Sequence, residues 1–145
     1  MKKAISIILL ICIANNSYSQ SKLINWNSLN EKPYKVLVSN NYFFEDGSIS
    51  SNGKMNVTSL ATFLNTYPNA VVEISNPYFS RISEKRNEKE IHQIILELNK
   101  IDNEIKARVW VEPNKNIKYY KKSFNRKPAF FKNKILITII TFGTE

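Results

Sequence analysis

Apolar residues recur at the spacing of a helix face in two places along the chain. Val57, Leu60, Ala61 and Leu64 fall at i, i+3, i+4 and i+7, and Ile91, Ile94, Ile95 and Leu98 repeat that spacing, so each run lays one stripe along a 3.6-residue period. Pro68 ends the first helix. Asn87, with Glu90 three residues later, reads as a capping-box start for the second. Short runs rich in β-branched residues lie around these helices. They are Tyr34-Lys35-Val36-Leu37-Val38, Ala70-Val71-Val72-Glu73-Ile74 and Ala107-Arg108-Val109-Trp110-Val111-Glu112, and each predicts a strand. Tyr42-Phe43-Phe44 running into Glu45-Asp46-Gly47-Ser48 reads as a strand end and a turn. Ile135 to Phe142 is apolar on both faces, the pattern of a strand inside a sheet with cover on each side.

The order is strand, helix, strand, helix, strand and, after a polar stretch, a last strand. Two βα crossovers demand parallel neighbours. The pattern therefore predicts an α+β, two-layer sandwich, a mixed four-stranded sheet with two helices on one face.

Residues 1–19 read as an export signal peptide: Lys2 and Lys3, an apolar run from Ala4 to Ala14, then Ser17-Tyr18-Ser19 before Gln20. The apolar run is too short to span a bilayer, which takes about 20 residues, and no later run is a better candidate. Lipoprotein processing at Cys12 would need a small residue before the cysteine, where Ile11 stands. Residues 20–32 form a lead-in whose Leu23, Ile24, Trp26 and Leu29 can dock onto a domain spanning 33–145. These readings put the protein in the periplasm or at the outer membrane.

Without the leader, 126 residues remain, the size of one domain. Cys12, the only cysteine, leaves with the leader, so no disulfide, thiol nucleophile or thiolate ligand is expected. The single histidine, His92, excludes a site needing two imidazoles, and three glycines leave no glycine-rich phosphate loop. Glu84, Glu88, Glu90 and Glu97 read as solubility and capping charges, and Trp26 and Trp110 as packing residues. The expectation is a non-enzyme with no cofactor and no metal.

Charge sharpens this picture. Loss of Lys2 and Lys3 takes the net charge from +9 to +7. Lys115, Lys118, Lys121, Lys122, Arg126, Lys127, Lys132 and Lys134 lie in one stretch that holds no acidic residue. A field focused this way favours a polyanionic neighbour. Tyr119, Tyr120, Phe124, Phe130 and Phe131 interleave these cations, as in single-stranded nucleic-acid binders. Export excludes nucleic acid and redirects the patch to lipid phosphates, lipopolysaccharide or stem-peptide carboxylates. A solvated loop whose aromatics close over the sheet edge is the plainer alternative.

The order of elements, with the residues at its joints, resembles the C-terminal domain of outer membrane protein A and its relatives in the flagellar stator and lipoprotein families. The matching runs are Tyr42 to Ser48, Leu60-Ala61-Thr62-Phe63-Leu64-Asn65-Thr66-Tyr67-Pro68-Asn69, Val71-Val72-Glu73-Ile74, Ile105-Lys106-Ala107-Arg108 and Lys132-Asn133-Lys134-Ile135-Leu136-Ile137. The resemblance implies a sheet order 1-4-2-3, with the last strand between the first and second. It also implies noncovalent attachment to peptidoglycan through the diamino acid of the stem peptide, gripped by an aspartate after strand two and an arginine on helix two. In this sequence Asn76-Pro77-Tyr78-Phe79 stands at the family's Gly-His-Thr-Asp, so Phe79 occupies the carboxylate position. The arginine position falls near Glu90, with Arg86 and Lys89 close by. The residues expected at a ligand are Asn76, Tyr78, Phe79, Arg81, Arg86 and Lys89, the rings facing sugars and the arginines a carboxylate. The competing expectation is that Tyr78 and Phe79 fold inward. The functional expectation is an exported, non-catalytic envelope module that touches peptidoglycan or another anionic envelope glycan or lipid through altered contacts. A protein-interaction subunit of an envelope complex, without glycan binding, is the alternative.

Overall fold

A computed structural model describes residues 22–29 and 35–141. Residues 1–19, expected to be a signal peptide, lie outside the described residues, as do Tyr34 and Phe142. Trp26–Leu29 forms α1, Lys35–Ser39 β1, Phe44–Glu45 β2, Ser48–Ile49 β3, Ser51–Thr66 α2 and Ala70–Pro77 β4. Arg81–Ile101 then forms α3, Asn103–Lys106 α4, Val109–Lys115 β5, Ile117–Phe124 α5 and Lys134–Thr141 β6, with a 3-10 turn at Pro128–Phe131 before the last strand.

The four long strands form one mixed sheet in the order β1-β6-β4-β5. β6 runs antiparallel to both β1 and β4, and β4 runs parallel to β5. The apolar stripes explain the layer above it. Val57, Leu60, Ala61 and Leu64 of α2 pack with Ile91, Ile94 and Leu98 of α3 in one buried cluster, over Val72, Ile74, Ile135, Ile137 and Ile139 of the sheet. Alternation sends Leu136 to the opposite face, where it joins a second cluster with Tyr120 and Phe131. The C-terminal strand carries apolar residues on both faces because each of its faces meets a separate core.

That second cluster corrects the reading of the basic stretch as an irregular loop. Ile117, Tyr120 and Phe124 sit at i, i+3 and i+7 on α5 and turn toward the sheet, and the 3-10 turn inserts Phe131 beside them. Tyr120 is fully buried, donates to the Ser75 carbonyl at 2.8 Å and lies 3.1 Å from the Ser75 hydroxyl. The aromatics close over a face of the sheet, not its edge, and add a partial third layer to the two-layer sandwich.

A second correction concerns α3. Its N-cap is Ser80, whose hydroxyl accepts from the Ser83 amide while the Ser83 hydroxyl accepts from the Ser80 amide. Asn87 and Glu90 are buried within the helix and do not cap it. Asn87 instead donates to the Pro77 carbonyl at 2.9 Å and to Asn114 Oδ1 at 3.2 Å, tying α3 to the ends of β4 and β5.

Of the lead-in, residues 22–29 are described, and they dock through Ile24 and Trp26, whereas Leu23 is exposed. Asn56 of α2 is buried and uses both ends of its amide. Oδ1 accepts from the Ile24 amide at 2.9 Å, and Nδ2 donates to the carbonyls of Lys22 and Tyr42 at 2.9 and 2.8 Å. Trp26 is buried against Phe63 and donates to Ser59 Oγ at 2.9 Å. Trp110, by contrast, stands half exposed on β5.

Candidate functional site

β4 runs three residues past its predicted end, to Pro77, before the chain turns through Tyr78, Phe79 and Ser80 into α3. The cap fixes this turn. The Phe79 amide donates to Ser83 Oγ at 3.2 Å and the Tyr78 amide to the Lys115 carbonyl at 3.0 Å. Tyr78 and Phe79 are each 38% exposed, so the inward fold expected as one alternative does not occur.

The first turns of α3 swing Arg86 across this loop, where its guanidinium donates to Asn133 Oδ1 at 3.1 Å. A cleft of about 10 Å³ lies between them, lined by Asn40, Asn76, Phe79, Arg86, Asn133 and Lys134 among others. That is room for about one water. Asn76 is only 3% exposed, and its Oδ1 has no hydrogen-bond partner among the described residues. Of the six residues expected at a ligand, the structure brings Asn76, Phe79 and Arg86 to this cleft. Tyr78, Arg81 and Lys89 do not line it. Asn133 carries no site expectation from the sequence, because it reads as the approach to the last strand, and Lys134 is expected only in the basic patch. Asn133 adopts φ +54° and its carbonyl accepts from the Asn40 amide at 2.9 Å, which places both residues at the rim.

Glu90 follows Arg86 by one turn. It is buried, and its Oε2 has no partner among the described residues, so it is not the solvated helix charge its sequence context suggests. Burial raises its pKa, against the opposing pull of the Arg86 and Lys89 charges.

Lys115 leaves the expected basic patch. Its ammonium is hydrogen-bonded to Glu73, lies 3.4 Å from Glu112 and sits 4.0 Å from the Tyr119 ring centre. Burial opposes its charge, but the bond to Glu73 and the surrounding negative charge outweigh that and raise its pKa. Lys118, Lys121, Lys122, Arg126, Lys127 and Lys132 remain exposed, and Lys134 is half-buried. Lys35 of β1 joins them, 5.4 Å from the Tyr119 ring centre.

Charge is unequal across the sheet. Among the described acids, Glu45 and Asp46 lie on the β2–β3 hairpin, and Glu84, Glu88, Glu90, Glu97, Asp102 and Glu104 on α3 and α4. Glu73 and Glu112 are the two that lie beside Lys115. On the side of α5 a second cleft, of about 370 Å³, opens among Lys35, Leu37, Phe124, Arg126, Phe130 and Lys134. Arg126 and Lys134 stand 5.4 and 5.6 Å from the Phe130 ring centre.

His92 is exposed. No cluster of three or more His, Cys, Asp and Glu side chains suited to a metal occurs among the described residues. No helix among them is long and apolar enough to cross a membrane.

Neither a protein-family profile nor a curated protein matches this sequence. The fold does match solved structures. One is the crystal structure of the periplasmic domain of Helicobacter pylori MotB, at a TM-score of 0.50 and 9% identity, covering 75% of this chain and 76% of that one. At that identity the likeness is one of fold, an α+β arrangement on a mixed four-stranded sheet.

Proposed function

We propose that this protein is an exported, non-catalytic module of the cell envelope that associates with peptidoglycan or a related envelope polyanion through contacts of its own. The observation that carries the reading is the exposed Phe79 beside Arg86 and Lys134, in a cleft whose lining holds no acidic side chain. A phenyl ring cannot form an ion pair with an ammonium group or accept its hydrogen bond as a carboxylate does, so the grip on a diamino acid implied by the resemblance has no counterpart at Phe79. A guanidinium that spends one nitrogen on Asn133 keeps donors for a carboxylate. The exposed faces of Tyr78 and Phe79 suit a sugar ring or a stem-peptide backbone. The group recognised is therefore the carboxylate end of a wall peptide, with the exposed cations adding attraction at long range.

Sedimentation with isolated peptidoglycan tests this. The wild-type chain is expected to co-sediment at low and moderate salt. Arg86→Gln should weaken binding roughly tenfold, the loss of a charge-assisted hydrogen bond of about 1.5 kcal/mol, and Phe79→Ala should weaken it too. Binding that survives Phe79→Ala but is abolished by Lys121→Ala with Lys122→Ala would move the contact to the basic segment. Absence of co-sedimentation at both salt levels refutes wall association and leaves a protein-interaction subunit of an envelope complex.

A further inference from the structure

We propose that the face of the sheet covered by α5 and the 3-10 turn docks on an anionic lipid bilayer. In this arrangement Phe130 enters the headgroup layer while Lys35, Arg126 and Lys134 meet lipid phosphates. The inference deepens the envelope reading above and rests on it only for export.

Three observations converge on this face. The acids of the helical layer face away from it, and the two on its own side lie beside Lys115. The remaining cations there have no acid within ion-pair distance among the described residues, so away from the Lys115 cluster the face carries an unpaired excess of positive charge. The cleft repeats this at short range. Its floor is Leu37 and Phe124, and its rim is Lys35, Arg126 and Lys134. Like charges gathered around one apolar floor repel until an anion lies among them.

The third observation is Phe130. It is 45% exposed, yet its ring stands edge-on to Phe131 at 5.4 Å, and Phe131 is fully buried in the second core. The exposed ring thus has a rigid mount, flanked by Arg126 and Lys134. An apolar tip between cations matches the boundary between acyl chain and phosphate. A glycan would instead call for neutral donors and acceptors, and the side chains of these six residues offer donors only at their cationic heads.

The test is co-sedimentation of the full chain with vesicles of phosphatidylcholine alone or mixed with phosphatidylglycerol. The apolar N-terminal run is common to every variant and cancels from the comparison. The wild type should prefer the mixed vesicles and be released as salt rises. Lys35→Gln with Arg126→Gln should reduce partitioning roughly thirtyfold, from about 1 kcal/mol for each charge near the surface. Both residues lie outside the Arg86 cleft. Lys54→Gln with Lys85→Gln removes the same net charge from the helical layer and should bind like the wild type. Phe130→Ala should cause a loss that persists at high salt. Equal binding to both vesicle types, or an equal loss from both charge pairs, overturns the proposal. So does a Lys35/Arg126 variant that loses peptidoglycan binding and keeps vesicle binding. Vesicle binding without wall binding supports the lipid face and refutes the wall reading alone.

Discussion

Replacing Tyr120 isolates what fastens the basic cover to the sheet. Its hydroxyl donates to the Ser75 carbonyl at 2.8 Å, and without it the Ser75 hydroxyl keeps only a 3.5 Å contact with the Leu136 carbonyl. A buried hydrogen bond contributes about 0.5–1.5 kcal/mol net, and a stranded polar partner costs about 1–3 kcal/mol. Tyr120→Phe should therefore destabilise the fold by about 1.5–3 kcal/mol. Tyr120→Ala, which also empties a fully buried ring site, should cost about 3–5 kcal/mol. Urea unfolding followed by the fluorescence of Trp26 and Trp110 reads both, with the Phe variant's midpoint lowered by roughly 1 M. Ser75→Ala in the Tyr120→Phe background should cost less than it does alone, because the two side chains are coupled. The alkaline limb supplies an independent readout. Burial raises the Tyr120 pKa, partly offset by its hydrogen bond to Ser75, whereas an unfolded tyrosine titrates near 10, at about that value. Above it the folded state binds the extra proton, so stability falls as pH rises, by at most about 1.4 kcal/mol per pH unit. Lys115, also raised, contributes with the same sign. Tyr120→Phe should flatten this limb and leave the Lys115 share. A Tyr120→Ala cost below about 1 kcal/mol, with an unchanged alkaline limb in Tyr120→Phe, would show that residues 117–131 are a detachable loop and refute the reasoning.

Two further outcomes follow from the packing. A Cβ at Gly53 would sit 2.0 Å from the Phe43 carbonyl oxygen and 2.8 Å from Ile49 Cγ1. Gly53→Ala should thus cost about 3 kcal/mol, the upper end of overpacking, and lower Tm in a circular-dichroism melt by roughly 10 °C. Glu90 has a raised pKa in the folded state, so the native form binds more protons as pH climbs through the folded value and stability declines there. Glu90→Gln should remove that decline and gain about 1 kcal/mol at pH 7 in urea titration, and a loss at neutral pH would contradict the burial argument.

What the sequence made legible is what repeats locally. The i, i+3, i+4, i+7 stripes placed α2 and α3, and the doubly apolar last strand announced its interior position. The start of α3 was misplaced because its first turns carry no apolar period: Ile82 is 86% exposed, and the cap uses serine at both ends, without the glutamate that marks a capping box. α5 escaped notice although Ile117, Tyr120 and Phe124 hold helical spacing, since the intervening lysines mask an eight-residue stripe. The fate of Lys115 depends on Glu73, 42 positions away in the chain, and no local pattern encodes such a pairing. The same holds for the cleft, where Asn133 meets Arg86 only because β6 threads between β1 and β4.

That threading fixes an order of assembly. Among the described strands β1 pairs with β6 alone, and β4 has β5 on its other side. Until residues 134–141 have been made, the first strand has no neighbour among the described strands and the hydroxyl-linked cover has only half its floor. A chain arrested short of that point can form helices and one parallel strand pair but cannot close its sheet. It therefore acquires its closed sheet late and all at once, when its final strand arrives.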